Sequence, residues 1–175
     1  AEETLALWLA EKAPRTVPLC AIPGYQRQIR EAMPAMRPDL GNDLSALRRE
    51  AIRVLLERAG EDPGLAEPAF EVFFEARQKV IFYEDALSAL DFLKSRYPMV
   101  ALSNGNADIQ KVGLNGYFVA AFNPINLGVG KPDPKMFHAG AQALGVMPEA
   151  ILHIGDDPHL DVVAAQRAGL QAVWL

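Results

Sequence analysis

The sequence predicts an α/β protein in which an all-helical module precedes a doubly wound parallel sheet. Three features predict it. Up to Phe82, apolar residues recur at helical spacing and no strand pattern interrupts them. Beyond Phe82, short apolar runs alternate with helical patterns, as strand–helix–strand units do. Lastly, the apolar run Ile151–Ile154 stops at Gly155, and Asp156, Asp157 and Asp161 follow within six residues. A buried parallel strand that carries acids to the carboxyl edge of a sheet ends in this way.

In the first module, residues 1–82, Leu5, Trp8 and Leu9 make an apolar stripe on a helix that opens the chain. Ile22 to Met36 is a second helix, broken up by Pro23 and Pro34. Leu44, Leu47, Ala51, Val54 and Leu55 define a third, from a cap at Asn42 or Asp43 to a stop at Gly60. Phe70, Phe73, Phe74, Arg77 and Ile81 form a fourth stripe after Pro68. Arg48, Arg49, Arg53 and Arg58 read as a solvated helix face, and Arg77 as a guanidinium reaching solvent past a buried stem.

The second module, residues 83–175, begins after a hinge near Tyr83–Glu84. Ala86 to Arg96 is a helix with Leu87, Leu90 and Leu93 inward, followed by a short buried strand over Met99 to Leu102. Pro134 to Leu144 is a helix, with Phe137, Ala141 and Leu144 on one side. Ile151 to Ile154 is a strand, Asp161 to Ala168 a helix, and Val173 to Leu175 a closing strand.

Composition narrows the function classes. Half of the 175 residues are hydrophobic, enough for a sizeable core, and no apolar run is long enough to span a bilayer. The net charge of −5, with no Lys/Arg cluster, argues against a nucleic-acid surface. The single cysteine, Cys20, excludes an internal disulfide framework and fits a reducing, cytoplasmic compartment. Nucleic acid and membrane are therefore not expected as partners, and the oligomeric state is left open.

Three clusters carry chemistry. In Leu102-Ser103-Asn104-Gly105 a hydroxyl and an amide follow a strand, placed to donate hydrogen bonds to an anion. In Gly128-Val-Gly-Lys-Pro-Asp-Pro-Lys135, prolines flank Lys131 just before a helix, where its ammonium serves as a fixed point charge. Asp156 follows its strand and glycine directly and is the best metal-ligand candidate. Asp157 is either a second ligand or an acceptor behind the first, and Asp161 either a ligand or a charge partner for a helix start. Packed carboxylates need a cation, a shared proton or water, and a hard divalent ion is the simplest answer. His153 reads as a packed strand residue, His159 as a solvated loop residue and His138 as exposed on its helix. No histidine pair has zinc-ligand spacing.

In this order, the hydroxyl turn, the prolyl lysine and the acid cluster resemble the haloacid dehalogenase superfamily. Leu102-Ser103-Asn104-Gly105 is similar to its second motif, Lys131-Pro132 to its third, and Gly155-Asp156-Asp157 with Asp161 to its fourth. The resemblance covers Tyr83 to Leu175, and the helices before it look like the superfamily's inserted cap. It implies a Rossmann-like core, an aspartate nucleophile and an aspartyl-phosphate intermediate. Ser103 and Lys131 would hold the phosphoryl oxygens, with Asn104 nearby. Mg2+ would bind at Asp156 with Asp157 and Asp161.

The resemblance also implies an apolar strand ending Asp-x-Asp-x-Thr before the cap, and none is present. That first core strand, with the nucleophile, is expected upstream of Ala1, and these residues alone are expected to be inactive. The expected function of the intact protein is thus an Mg-dependent phosphatase of a small phosphorylated metabolite. Alternatives are a metal-independent 2-haloacid dehalogenase and a non-catalytic relative lacking the nucleophile. The adjacent pair Asp156-Asp157 favours phosphate over halide. Phe82-Tyr-Glu-Asp-Ala-Leu, Ser103-Asn-Gly-Asn-Ala and Ile151-Leu-His-Ile-Gly-Asp-Asp resemble, more narrowly, the branch that serves flavin biosynthesis.

Overall fold

A computed structural model describes all residues from Ala1 to Leu175. It divides into two compact units, Ala1–Val80 and Ile81–Leu175. No helix is long and apolar enough to cross a membrane.

The first unit is helical: α1 (Glu2–Lys12), α2 (Val17–Cys20), α3 (Tyr25–Met36), α4 (Leu44–Ala59) and α5 (Ala66–Gln78), with short 3-10 turns between them. Asp43 caps α4, its carboxylate accepting from Ser45 N and Ala46 N at 2.9 Å, and Gly60 ends it with φ +70°. That left-handed conformation is why a glycine stands there. Leu5, Leu9, Ile29, Met33, Leu56 and Phe70 fill one core with their neighbours. Each such side chain contributes roughly 1.5–3 kcal/mol by leaving water.

Three expectations are corrected in this unit. The chain stays helical through Pro34, near the C-terminal end of α3, so the proline does not break it. Ile81 lies beyond α5 and is fully exposed, so the aromatic stripe ends earlier than its spacing implied. Arg48 is not solvated: its side chain is 10 % exposed, its guanidinium carbon lies 4.0 Å from the Phe73 ring centroid, and its Nη2 donates to Glu2. Arg49 likewise covers Phe70 at 3.8 Å. Both arginines use their planar cations on aromatic faces, a site that helical spacing alone does not distinguish from solvent.

The second unit contains α6 (Ala86–Lys94), β1 (Val100–Leu102), β2 (Ala120–Phe122), α7 (Pro124–Leu127) and α8 (Pro134–Leu144). Then come β3 (Leu152–Gly155), a π-type helical turn (Pro158–Val163), α9 (Ala164–Arg167) and β4 (Gln171–Trp174). All strand pairing is parallel, as alternation with helices requires. The single sheet expected is present as two parallel pairs, β1–β2 and β3–β4, with no hydrogen-bonded strand joining β1 to β3. Phe137, Ala165, Ala168 and Leu170 pack with Leu102 and Ala172, a small core that draws on both pairs.

Here too the expectations need correction. No residue of α6 is buried, and Leu87 is 40 % exposed, so its apolar face is less covered than its pattern implied. Strand β2 has no counterpart in the sequence pattern, because Tyr117 to Phe122 is a continuous apolar run with no period to read. The helix placed at Asp161–Ala168 starts sooner, at Pro158: Asp157 caps it and proline takes the first position, where its missing N–H costs nothing.

Candidate active site

The site is assembled at the carboxyl ends of β1 and β3. Strand β1 ends at Leu102, and Ser103 N still donates to Phe122 O of β2 at 3.0 Å. The exposed Ser103 hydroxyl oxygen then accepts from Gly105 N at 2.9 Å, which shapes the turn. Asn104 reaches in the other direction. Its Oδ1 accepts from Lys131 N and its Nδ2 donates to Lys131 O, both at 2.7 Å. The amide thus pairs with the lysine backbone as a neighbouring strand would, and it fixes where that loop lies. Gly130 is required by this approach: a Cβ there would lie 2.8 Å from Asn104 Oδ1. On the far side of Lys131, the Lys131–Pro132 peptide is cis, and Asp133 caps α8 by accepting from Lys135 N at 2.9 Å.

With its backbone anchored, the Lys131 side chain runs to Asp161. The Nζ–Oδ1 distance is 2.5 Å, and the two side chains are 12 % and 4 % exposed. The same oxygen accepts from His153 Nε2 at 2.9 Å, and Oδ2 accepts from Asp157 N at 3.1 Å. Burial works to raise the Asp161 pKa, but the bonds from Lys131, His153 and Asp157 N outweigh it and hold the carboxyl below its usual range. An ionised carboxylate only accepts, so the shared nitrogen of His153 carries the proton. Edge-on contact with Phe137, centroids 5.2 Å apart, holds the imidazole ring.

Gly155 makes room for this carboxylate. A Cβ there would meet Asp161 Cγ at 2.3 Å, closer than any side chain tolerates. Hence the glycine between strand and acids is a steric necessity of Asp161, not only a turn residue. Asp157 is engaged differently: its Oδ1 accepts from His159 N and Leu160 N at 2.8 Å, and these backbone N–H groups lower its pKa. Asp156 remains. Its side chain is exposed and takes no hydrogen bond or ion pair, while its carbonyl accepts from Trp174 Nε1 at 2.9 Å.

The six residues singled out in the sequence therefore do four things. Asn104 holds Lys131 by its backbone, and Asp161 holds it by its side chain. Asp157 caps the following helical turn, and Ser103 and Asp156 keep exposed polar groups at the ends of β1 and β3. No three acidic, histidine or cysteine side chains converge as a metal-binding set. The sequence did not reveal that His153 shares Asp161 Oδ1 with Lys131. Its signal was the period of a strand, since His153 and Gly155 point to one face and Asp161 packs against that glycine. Cys20 is free, and burial pushes its thiol pKa up, which disfavours the nucleophilic thiolate.

Comparison with known proteins places this constellation. The family model described as haloacid dehalogenase-like hydrolase matches residues 6–169. The chain belongs to this family. Among curated relatives, a phosphoserine phosphatase of Thermus thermophilus is 35% identical over 134 residues, 73% of the chain and 54% of that protein. The 5-amino-6-(5-phospho-D-ribitylamino)uracil phosphatase YigB of Escherichia coli is 31% identical over 153 residues, 85% of the chain and 64% of that protein. The chain thus spans between half and two thirds of the length of these relatives. A solved structure of a 2-haloacid dehalogenase from Pseudomonas syringae superposes with a TM-score of 0.87 at 36% identity, covering 99% of the chain and 76% of that protein. The Rossmann-like α/β fold expected of a haloacid dehalogenase-like hydrolase is present, with its central pairing in two halves.

Proposed function

We propose that the intact protein is a phosphomonoesterase acting on a small phosphorylated metabolite, and that residues 83–175 supply most of its catalytic core. The observation that carries this is Lys131. A lysine anchored at both ends, its backbone by Asn104 and its ammonium by Asp161, stands in a loop that lies beside the exposed Ser103 turn. A preorganised cation of this kind stabilises charge that spreads over the oxygens of a transferring phosphoryl group. Ser103 would donate its hydroxyl to one of those oxygens. The curated relatives named above are phosphatases, which supports the same chemistry.

In the proposed reaction a carboxylate oxygen bonds to phosphorus as the ester oxygen leaves and takes a proton. Water then splits the aspartyl-phosphate into inorganic phosphate and the regenerated carboxylate. None of Asp43, Asp85, Asp91 and Asp108 stands in the motif this step calls for, so none of them is proposed as the nucleophile. The helical segment 1–82 would act as the cap that selects the leaving group.

Magnesium suits the donors only in part. Of the three aspartates, Asp156 alone has a carboxylate not already engaged, and it would hold the ion. Magnesium usually keeps several waters and takes one or two carboxylates, so one free aspartate here is a reasonable share. Asp157 and Asp161 would act from behind, by shaping the turn and by fixing Lys131. When bound, the ion would neutralise phosphoryl charge.

Dehalogenation is the second reading, favoured by the likeness to the Pseudomonas syringae enzyme. Release of phosphate from a panel of phosphomonoesters, and of chloride from 2-chloropropionate, separates the two. Magnesium-dependent phosphate release supports the first. Chloride release in excess chelator, without phosphate release, supports the second.

A further inference from the structure

We propose that His153 is a positioning residue that sets the Lys131 ammonium by sharing Asp161 with it. Three facts converge. Asp161 Oδ1 receives both Lys131 Nζ at 2.5 Å and His153 Nε2 at 2.9 Å. All three side chains are nearly buried, at 4 %, 12 % and 11 % exposure, so water is a poor substitute for either donor. The other oxygen, Oδ2, is tied to Asp157 N, so the carboxylate is held at both ends.

This network also joins parts of the unit that strand pairing leaves separate. His153 stands on β3, Asp161 on the helical turn after it, Lys131 in the loop before α8, and Asn104 at the end of β1. From imidazole to carboxylate to ammonium to amide, one polar chain runs from the β3–β4 pair to the β1–β2 pair. Without the imidazole, Oδ1 loses one of two directional donors, and the carboxylate can rotate about its remaining bonds. Lys131 would then follow the carboxylate or swing to solvent. His153 itself needs no contact with substrate, and the perpendicular Phe137 ring keeps its imidazole from turning away.

Two substitutions separate positioning from packing. His153→Phe keeps an apolar ring of similar size and removes the donor. His153→Gln brings a side-chain N–H near the position of Nε2 and removes the ring. The first measurement is independent of turnover: the rate at which an amine-directed acylating reagent modifies Lys131, read by peptide mass spectrometry on the intact protein. We expect modification several-fold faster in His153→Phe and close to wild type in His153→Gln. The second measurement rests on the phosphatase reading: kcat should fall by about 10–100-fold in His153→Phe with KM little changed, and recover in His153→Gln. Wild-type modification of Lys131 in His153→Phe would overturn the proposal, as would a His153→Gln variant as impaired as His153→Phe. If the wild-type protein releases no phosphate but Lys131 still becomes reactive in His153→Phe alone, the positioning role stands and the phosphatase reading falls.

Discussion

Asp161→Asn is expected to be the most damaging isosteric change in the second unit. It keeps the shape of the side chain and removes its charge. Lys131 would remain as an ammonium only 12 % exposed with its counter-charge gone. Removing one partner of a buried ion pair typically costs about 3–5 kcal/mol. The amide cannot restore the hydrogen bonds either. If its oxygen faces Lys131 and His153, its NH2 group points at Asp157 N, so two donors meet; if it is flipped, the conflict moves to the other side. A buried donor left unsatisfied costs roughly 1–3 kcal/mol. These costs overlap, because Lys131 can partly withdraw to water along its flexible stem, so about 3–5 kcal/mol is the expected total. Urea unfolding followed by circular dichroism measures it. The double variant Lys131→Met with Asp161→Leu removes both charges together and should recover much of the loss. A single-variant loss below about 1 kcal/mol would place the pair in the range of solvated ion pairs and refute the account of a buried, structural contact.

Other consequences follow from the same contacts. Gly155→Ala should destabilise by about 1–3 kcal/mol, the usual cost of overpacking, because its Cβ would meet Asp161 Cγ; unchanged urea unfolding would mean the acid can move aside freely. Asp43→Ala removes two backbone hydrogen bonds at the start of α4 and should cost about 1 kcal/mol, read in the same assay. The pKa values of Asp157 and Asp161 are both lowered on folding. Their contribution is therefore fully present above the unfolded carboxyl value, about pH 4, and is lost as pH falls through the lower folded values. Stability should be flat near neutrality and drop on acidification, with a shallower acid limb in Asp161→Asn; equal limbs would mean that Asp161 is not linked to folding.

How much of this was legible beforehand varies by element. Helix α4 could be read in full, because a capping acid, an apolar stripe and a glycine stop are all local signals. Strand β3 was legible because its glycine and acids punctuate an apolar run, although it begins one residue later than expected. Strand β2 was not, since three residues inside an unbroken apolar stretch carry no period. Among the site residues, the motif order brought Asn104, Lys131 and Asp161 to attention, yet not the way they interlock. The Asn104 amide paired with the Lys131 backbone spans 27 positions, and the Lys131–Asp161 contact spans 30. Contacts at such separations are set by which strands lie side by side, which local patterns do not encode. Arg48 makes the same point in the helical unit, where a charged residue on an apparently polar face turns inward over Phe73.

In the proposed reaction the free carboxylate of Asp156 holds magnesium for phosphoryl transfer while its neighbours shape the site around Lys131. That role is tested most directly by measuring phosphate release from the intact protein, wild type and Asp156→Asn, in magnesium and in excess chelator. We expect release in wild type with magnesium, none above background in chelator or in Asp156→Asn, and equal urea stability of the two proteins. Wild-type phosphate release by Asp156→Asn, or release undiminished by chelator, would contradict that role.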